Sequence, residues 1–330
     1  MRMTCLFSLR CWIGFGCLLA LACVATAQNP RGGAADRGIT IRETTLYISP
    51  DSNAEKLAHI ERGREVAIFE VSRSWLHVLA NVEGGPLGAD EKVPQGRNVT
   101  GWVEDKGVVH LNTPNGDRIL FGEGADSEAQ ASQRRGRRGA AQDAMRLYAR
   151  LAEFFPQSPL AGEAMFRAAD IRWQIERADA MSRPSARETD PTLRPDLDDR
   201  FLKEVEKKFP HTKWADLAAY DLIDKKVCSD WSGGSKCPER EAEAYEQYAA
   251  DHAQSPKSAE SLYNAAWRRA ALIDIYRVNG DSKKSGESRQ KALNDATRLV
   301  AQFADTDWGA RGTTLLFKLN QNVPVYGNVE

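Results

Sequence analysis

Phe155-Pro156-Gln157-Ser158, Phe209-Pro210-His211-Thr212, His252-Ala253-Gln254-Ser255 and Phe303-Ala304-Asp305-Thr306 are four copies of one pattern. An aromatic ring is followed by Pro or Ala, one variable residue, and Ser or Thr. The likeness extends in both directions. Four residues before the ring stand Leu151, Val205, Tyr248 and Leu299. Six after it stand Ala161, Ala215, Ser258 and Gly309, and nine after it Ala164, Ala218, Ser261 and Gly312. Self-similarity of this kind specifies an architecture before it specifies anything else.

The pattern reads as a helix, a tight turn and a second helix. The ring closes helix A. Ser or Thr caps helix B, its oxygen accepting from an orphan backbone N–H. Pro159 and Pro256 are expected at the first helical position, where the missing N–H costs nothing. The small residues share one helical face and let the two axes approach closely. Apolar residues recur at helical spacing, as in Ala144, Leu147, Tyr148 and Leu151, and again in Ala259, Leu262, Tyr263, Ala266 and Ala270. One hairpin cannot bury its apolar face, so four are expected to stack. The spacing predicts helix A segments near 141–154, 197–208, 239–252 and 285–303. Helix B segments are predicted near 159–178, 213–227, 256–278 and 307–320. The rings stand 54, 43 and 51 residues apart, beyond the 34 of a tetratricopeptide repeat, so insertions between hairpins carry the excess. One of them, 182–196, holds Pro184, Pro191 and Pro195 and cannot be helical throughout.

Tyr148-Ala149-Arg150-Leu151 followed by Phe155-Pro156-Gln157-Ser158 resembles the tetratricopeptide-type hairpins of bacterial envelope proteins, among them the outer-membrane assembly lipoprotein family. The third and fourth copies have lost the Pro. The resemblance covers residues 141–320 and implies an all-α solenoid of about four hairpins. It also implies a surface that holds an extended peptide or an envelope partner protein.

Upstream the period changes to two. Short β-rich runs occur around Ile41, Leu46, Leu57 to Ile60, Val66 to Val71, Trp75 to Leu79, Gly101 to Val103 and Val108. Five or six strands in so short a span suggest a small barrel. Leu46-Tyr47-Ile48-Ser49-Pro50-Asp51, Gly63-x-x-Val66, Ser74-Trp75-Leu76-His77-Val78 and Gly101-Trp102-Val103 together resemble the bacterial SH3-like (SH3b) domain, over residues 38–111. The departure is an insertion, Asn81 to Val99. The resemblance implies binding of cell-wall peptide or glycan, with Tyr47, Trp75 and Trp102 as ligand-groove residues. The competing reading of Trp75 and Trp102 is that they fill the barrel interior. Tyr47 is expected to be exposed, with Leu46 and Ile48 sharing the opposite face.

Residues 112–140 lose all periodicity. An acidic, Gly-containing run precedes Arg134-Arg135-Gly136-Arg137-Arg138-Gly139. The stretch is expected to be a flexible charged linker, with contact to an anionic surface as the sharper reading.

Residues 1–27 read as a secretory signal peptide, with Arg2 and Arg10, an apolar run from Cys11 to Val24 and Ala25-Thr26-Ala27 before the cut. Two other readings stay open. One is an uncleaved anchor, for which the run is short. The other is a lipid anchor at Cys23, although Ala20 stands where the usual motif has Leu. Residues 28–37 would be a tether and 321–330 a tail. On each reading the folded part is exported, to the periplasm or the outer membrane.

Charge is nearly balanced, with 45 basic and 46 acidic residues, which argues against nucleic acid as a partner. Past the leader only Cys228 and Cys237 remain, and in an oxidising compartment they read as a structural disulfide. With both cysteines so used, no thiol nucleophile is left. The five His show no metal-binding spacing, and no phosphate loop, G-x-S-x-G elbow or H-E-x-x-H occurs. No catalytic residue, metal or cofactor is therefore assigned. The expectation is a non-enzymatic envelope protein, its barrel on peptidoglycan and its repeats on a partner. A pure protein–protein scaffold and an enzyme of unrecognised class are the alternatives.

Overall fold

The structure is a computed structural model that describes residues 36–82, 96–187, 195–228 and 231–326. The leader, most of the tether and the centre of the Asn81–Val99 insertion lie outside the described residues. Asp36–Glu330 forms one compact unit. It consists of an antiparallel β-sheet followed by a helical region.

The strands are β1 (Asp36–Thr40), β2 (Thr44–Tyr47), β3 (Lys56–Ile60), β4 (Glu65–Ser72), β5 (Trp75–Val82), β6 (Arg97–Glu104) and β7 (Val108–His110), ordered β3-β2-β6-β5-β4-β1-β7. Alternation sends Leu76, Val78, Ala80 and Val82 of β5 inward. They meet Leu46, Ile60, Val66, Ile68 and Val103 in a core of their own. Two expectations change. β1 begins inside the expected tether, because Asp36 and Arg37 pair with β4. The ends of the insertion are paired strand, Asn81 with Asn98 and Val82 with Arg97, so the hairpin is longer than the alternation suggested.

The helices are α1 (Gly116–Ser132), α2 (Ala140–Phe154), α3 (Ala161–Ser182), α4 (Arg200–Lys208), α5 (Lys213–Asp221, continued by a 3-10 segment to Lys226), α6 (Lys236–Asp251), α7 (Ser258–Val278), α8 (Ser282–Gln302) and α9 (Asp307–Asn320). Helices α2 to α9 are the eight expected segments, packed as α2 on α3, α4 on α5, α6 on α7 and α8 on α9. Between pairs, α3 touches α4 and α5, the 3-10 segment touches α6, and α7 touches α8 and α9.

The repeat motif has one geometry in all four copies. Phe155, Phe209, His252 and Phe303 each end a helix, and the backbone N–H of each donates to the carbonyl four residues back, on Leu151, Val205, Tyr248 and Leu299. The Ala215 N–H donates to Thr212 Oγ1 at 3.3 Å and the Gly309 N–H to Thr306 Oγ1 at 3.0 Å, both N-caps. Where Pro follows, the cap differs. Ser158 and Ser255 accept from Leu160 and Lys257, only two residues on, each at 3.1 Å. Pro159 and Pro256 therefore sit in an entering turn, two residues before α3 and α7 begin, and not at the first helical position.

All eight small positions are buried. A Cβ on Gly312 would lie 2.7 Å from Leu299 Cδ2, and one on Gly309 would run into the Phe303 carbonyl. The residue nine after the ring thus packs on the residue four before it, which is why that site stays small.

The largest correction is the linker. Residues 116–132 are helix α1, not a flexible tether. Its buried face is Gly116, Leu120, Gly124 and Ser127. Only Leu120 is a large apolar residue, so helical periodicity does not show in the sequence. The glycines make room for rings: a Cβ on Gly124 would stand 2.8 Å from Tyr148 Cε1, and one on Gly116 2.7 Å from Phe155 Cζ. Phe121 meets Tyr148 edge to face at 5.4 Å, and the Tyr148 hydroxyl donates to Glu128 at 2.8 Å. Ser158 donates to Asp117 at 2.6 Å, which holds that carboxyl below its ordinary range.

The sheet is joined to the helices by packing. Ile39 and Val109 share a core with Leu120, Ala144, Leu147, Tyr148 and Leu151. Gly63, with φ at +72°, lets the β3–β4 turn lie directly on α2. Beside it the Arg146 Nε donates to the Arg62 carbonyl at 2.8 Å. Arg37 pairs with Glu65 and Glu153 and lies 4.4 Å over the Phe154 ring.

Cys228 and Cys237 are disulfide-bonded, with Cα atoms 6.1 Å apart. The closed loop brings Trp231 against Trp267 at 5.4 Å. Both it and the Cys228 N–H are held by Glu241, almost wholly buried, whose other oxygen takes the Arg268 Nε at 2.7 Å.

Candidate functional site

Two surfaces meet the requirements of a binding site. The first lies on the solvent side of the sheet. Since Leu76 and Val78 point inward, Trp75 and His77 point outward. Trp102 lies between buried Gly101 and Val103 and also faces out. Cross-strand register then sets Tyr47 of β2 opposite Trp102 of β6, and Trp102 opposite His77 of β5. His77 stacks on Trp102 at 4.9 Å, and Tyr47 meets Trp75 edge to face at 5.6 Å. Phe69 sits at a bulge in β4 and continues the row, 6.0 Å from His77.

All three sequence-assigned residues, Tyr47, Trp75 and Trp102, are thus brought together. Each is half-buried, and the interior reading of Trp75 and Trp102 is overturned. The inward positions are taken by residues one place away, among them Leu76, Val78 and Val103. Ile48 is also corrected: it is 58% exposed, because a register shift after Leu46 turns it out of the core. His77 and Phe69 were not singled out from the sequence. The period from Trp75 marks His77, whereas Phe69 owes its place to the bulge. Such a row offers flat π-faces for sugar rings or peptide side chains.

The second surface is an open groove of about 740 Å³ among α2, α3 and α4. Met145, Ala149, Met165, Ala168, Phe201 and Phe209 give it an apolar lining, and Arg146, Arg150, Arg172 and Lys208 with Glu153 and Glu204 give it charge. Arg172 is held in place twice, by Glu176 at 2.7 Å and by stacking over Phe201 at 3.8 Å. An apolar floor with a few fixed polar groups is the usual make-up of a ligand site. Alanines at 149 and 168 keep the floor low.

Among the described residues no three metal-ligating side chains cluster, and no helix is long and apolar enough to cross a membrane. The two carboxyls raised furthest lie elsewhere. Burial, with Asp170 and Asp224 nearby, pushes Asp221 up to about 7. Burial, with Glu246, pushes Asp295 up to about 6. One oxygen of each meets no donor, and neither residue lines the groove.

These two carboxyls make stability depend on pH in a definite sense. Their folded-state values lie above the unfolded one, so the unfolded chain loses its protons first. Their contribution is whole below about pH 4 and is lost as pH rises through 6 to 7. Asp295→Asn is expected to raise the thermal midpoint measured near pH 8 and to leave it unchanged near pH 4. Equal shifts at both values would show that Asp295 is not held protonated.

No family model matches the chain, and no curated protein matches it. Among solved structures, a chain described as "DHF58 filament" aligns with 63% of this chain and 93% of its own, at 14% identity and a TM-score of 0.22.

Proposed function

We propose that this is a non-enzymatic, exported binding protein. In this reading the sheet is an SH3-like barrel that contacts cell wall or wall peptide, and the paired helices are a tetratricopeptide-like solenoid that grips an envelope protein. The observation that carries the proposal is the apolar groove of about 740 Å³ among α2, α3 and α4, edged by fixed charges. The aromatic row supports the wall-binding half, since it gathers half-buried ring faces on one outer face of the sheet where a sugar ring or peptide side chain can stack.

Site-specific photo-cross-linking from position 149, in the cell, identifies what occupies the groove. Phe201→Asp is expected to weaken binding of that purified partner tenfold or more, because it puts a charge on the apolar floor. Unchanged affinity would remove the groove from the account. In parallel, the chain should pellet with purified peptidoglycan, and the double variant Trp75→Ala/Trp102→Ala should lose roughly tenfold in retention. A chain that stays in the supernatant while its groove still captures a partner indicates a protein–protein scaffold alone. Turnover of wall fragments, abolished by replacing one carboxylate, would make the protein an enzyme.

A further inference from the structure

The run Arg134-Arg135-Gly136-Arg137-Arg138-Gly139 is the turn between α1 and α2, and its backbone is closed by hydrogen bonds. The Gln133 N–H donates to Gln130 O at 3.3 Å, the Gly136 N–H to Gln133 O at 3.0 Å and the Ala140 N–H to Arg137 O at 3.2 Å. Gly136 lies so close to the Gln130 carbonyl that no side chain fits there, and Gly139 takes φ +78°. One of the four arginines is spent on the fold: Arg137 pairs with Asp143, a buried carboxylate that Arg146 also holds.

The other three are not. Arg134, Arg135 and Arg138 are exposed and have no hydrogen-bonding, ionic or ring partner among the described residues. No carboxylate occurs between Glu128 and Asp143. Both of these flanking acids are engaged, Glu128 by Tyr148 and Arg167, Asp143 by Arg137 and Arg146. By contrast, the cations along the groove are all paired. The turn is therefore a concentration of uncompensated positive charge on a backbone already ordered.

We propose that this turn is a docking site for the phosphate headgroups of an anionic bilayer. Guanidinium groups suit phosphate because they offer paired donors in a plane. Among the described residues no ring lies against Arg134, Arg135 or Arg138, so the turn reads charge density and not the face of a stacked ligand. On the export reading of residues 1–27 the chain is delivered to the cell envelope, where an anionic bilayer surface presents phosphate at high density, with wall polymer as the competing polyanion. The site is separate from the wall- and partner-binding surfaces, and of the proposed function it rests on export alone.

The test uses residues 28–330, which keep the compact unit and lack the leader. Co-sedimentation is compared for vesicles of phosphatidylcholine alone and vesicles of equal parts phosphatidylcholine and phosphatidylglycerol, at low and high salt. Binding is expected only with phosphatidylglycerol and is expected to fall with salt. The triple variant Arg134→Gln/Arg135→Gln/Arg138→Gln should lose roughly 100-fold in partition, at about a factor of five per residue. A control with the same charge change, Lys207→Gln/Lys226→Gln/Lys318→Gln, should lose far less, and unchanged circular dichroism verifies that both are folded. No binding to anionic vesicles, an equal loss in the control, or inorganic phosphate bound as tightly as the vesicles would each overturn the proposal.

Discussion

Gly63→Val is expected to destabilise the protein by about 4 kcal/mol, the sum of left-handed backbone strain and overpacking. Gly63 sits at φ +72°, where a β-branched residue is strained whatever the space around it. There is also no space. A Cβ would stand 2.6 Å from Arg146 Cβ and 2.9 Å from the Leu147 backbone nitrogen. The second contact is with backbone, so a rotamer change cannot relieve it, and the turn must lift away from α2. That separates Ile39 and Val109 from Leu147 and Tyr148 and opens the core shared by sheet and helices. Urea unfolding followed by far-ultraviolet dichroism and by tryptophan fluorescence reads the effect. A wild-type-like midpoint in the variant would mean that the turn does not rest on α2.

Leu120→Ala should cost about 3 kcal/mol, the middle of the range for a fully buried leucine. Leu120 has no exposed surface and belongs to the core that contains Leu147, Leu151 and Tyr148. A tether predicts no effect at all, so the two descriptions of residues 112–140 differ by a directly measurable amount. Amide exchange adds a second reading: protection over 116–132 should fall in the variant before that of α7. Full stability in Leu120→Ala would return this stretch to the status of a linker. The effect should stay local to α1, α2 and the sheet, since Leu120 lies far along the chain from the cores around Leu262 and Leu315.

Both variants probe the place where sequence reading failed, and the failure has one cause. Helical periodicity is visible when a buried face is made of large apolar residues. In α1 that face is Gly116, Leu120, Gly124 and Ser127, because the bulk comes from the partner: Tyr148 and Phe155 fill the space that the glycines vacate. A segment whose packing is supplied by another segment looks like a linker when read alone. The same holds for the sheet. Strand alternation was legible, but which face of β5 turns outward was not. The row from Tyr47 through Trp102 and His77 to Phe69 required cross-strand register and a bulge, neither of which is a local property.

The chain by itself determined the eight helices α2 to α9, the position of each turn and the sites that must stay small. Those features rest on near-neighbour physics: a ring that ends a helix, a hydroxyl that caps the next, and a Cβ that cannot fit between them. Only the tertiary structure decided that α1 exists, that the sheet shares a core with the helices, that the tryptophans face solvent, and that Arg134, Arg135 and Arg138 are left without counter-charge. Each of these depends on what stands opposite a residue in space, and that is set by segments distant in sequence.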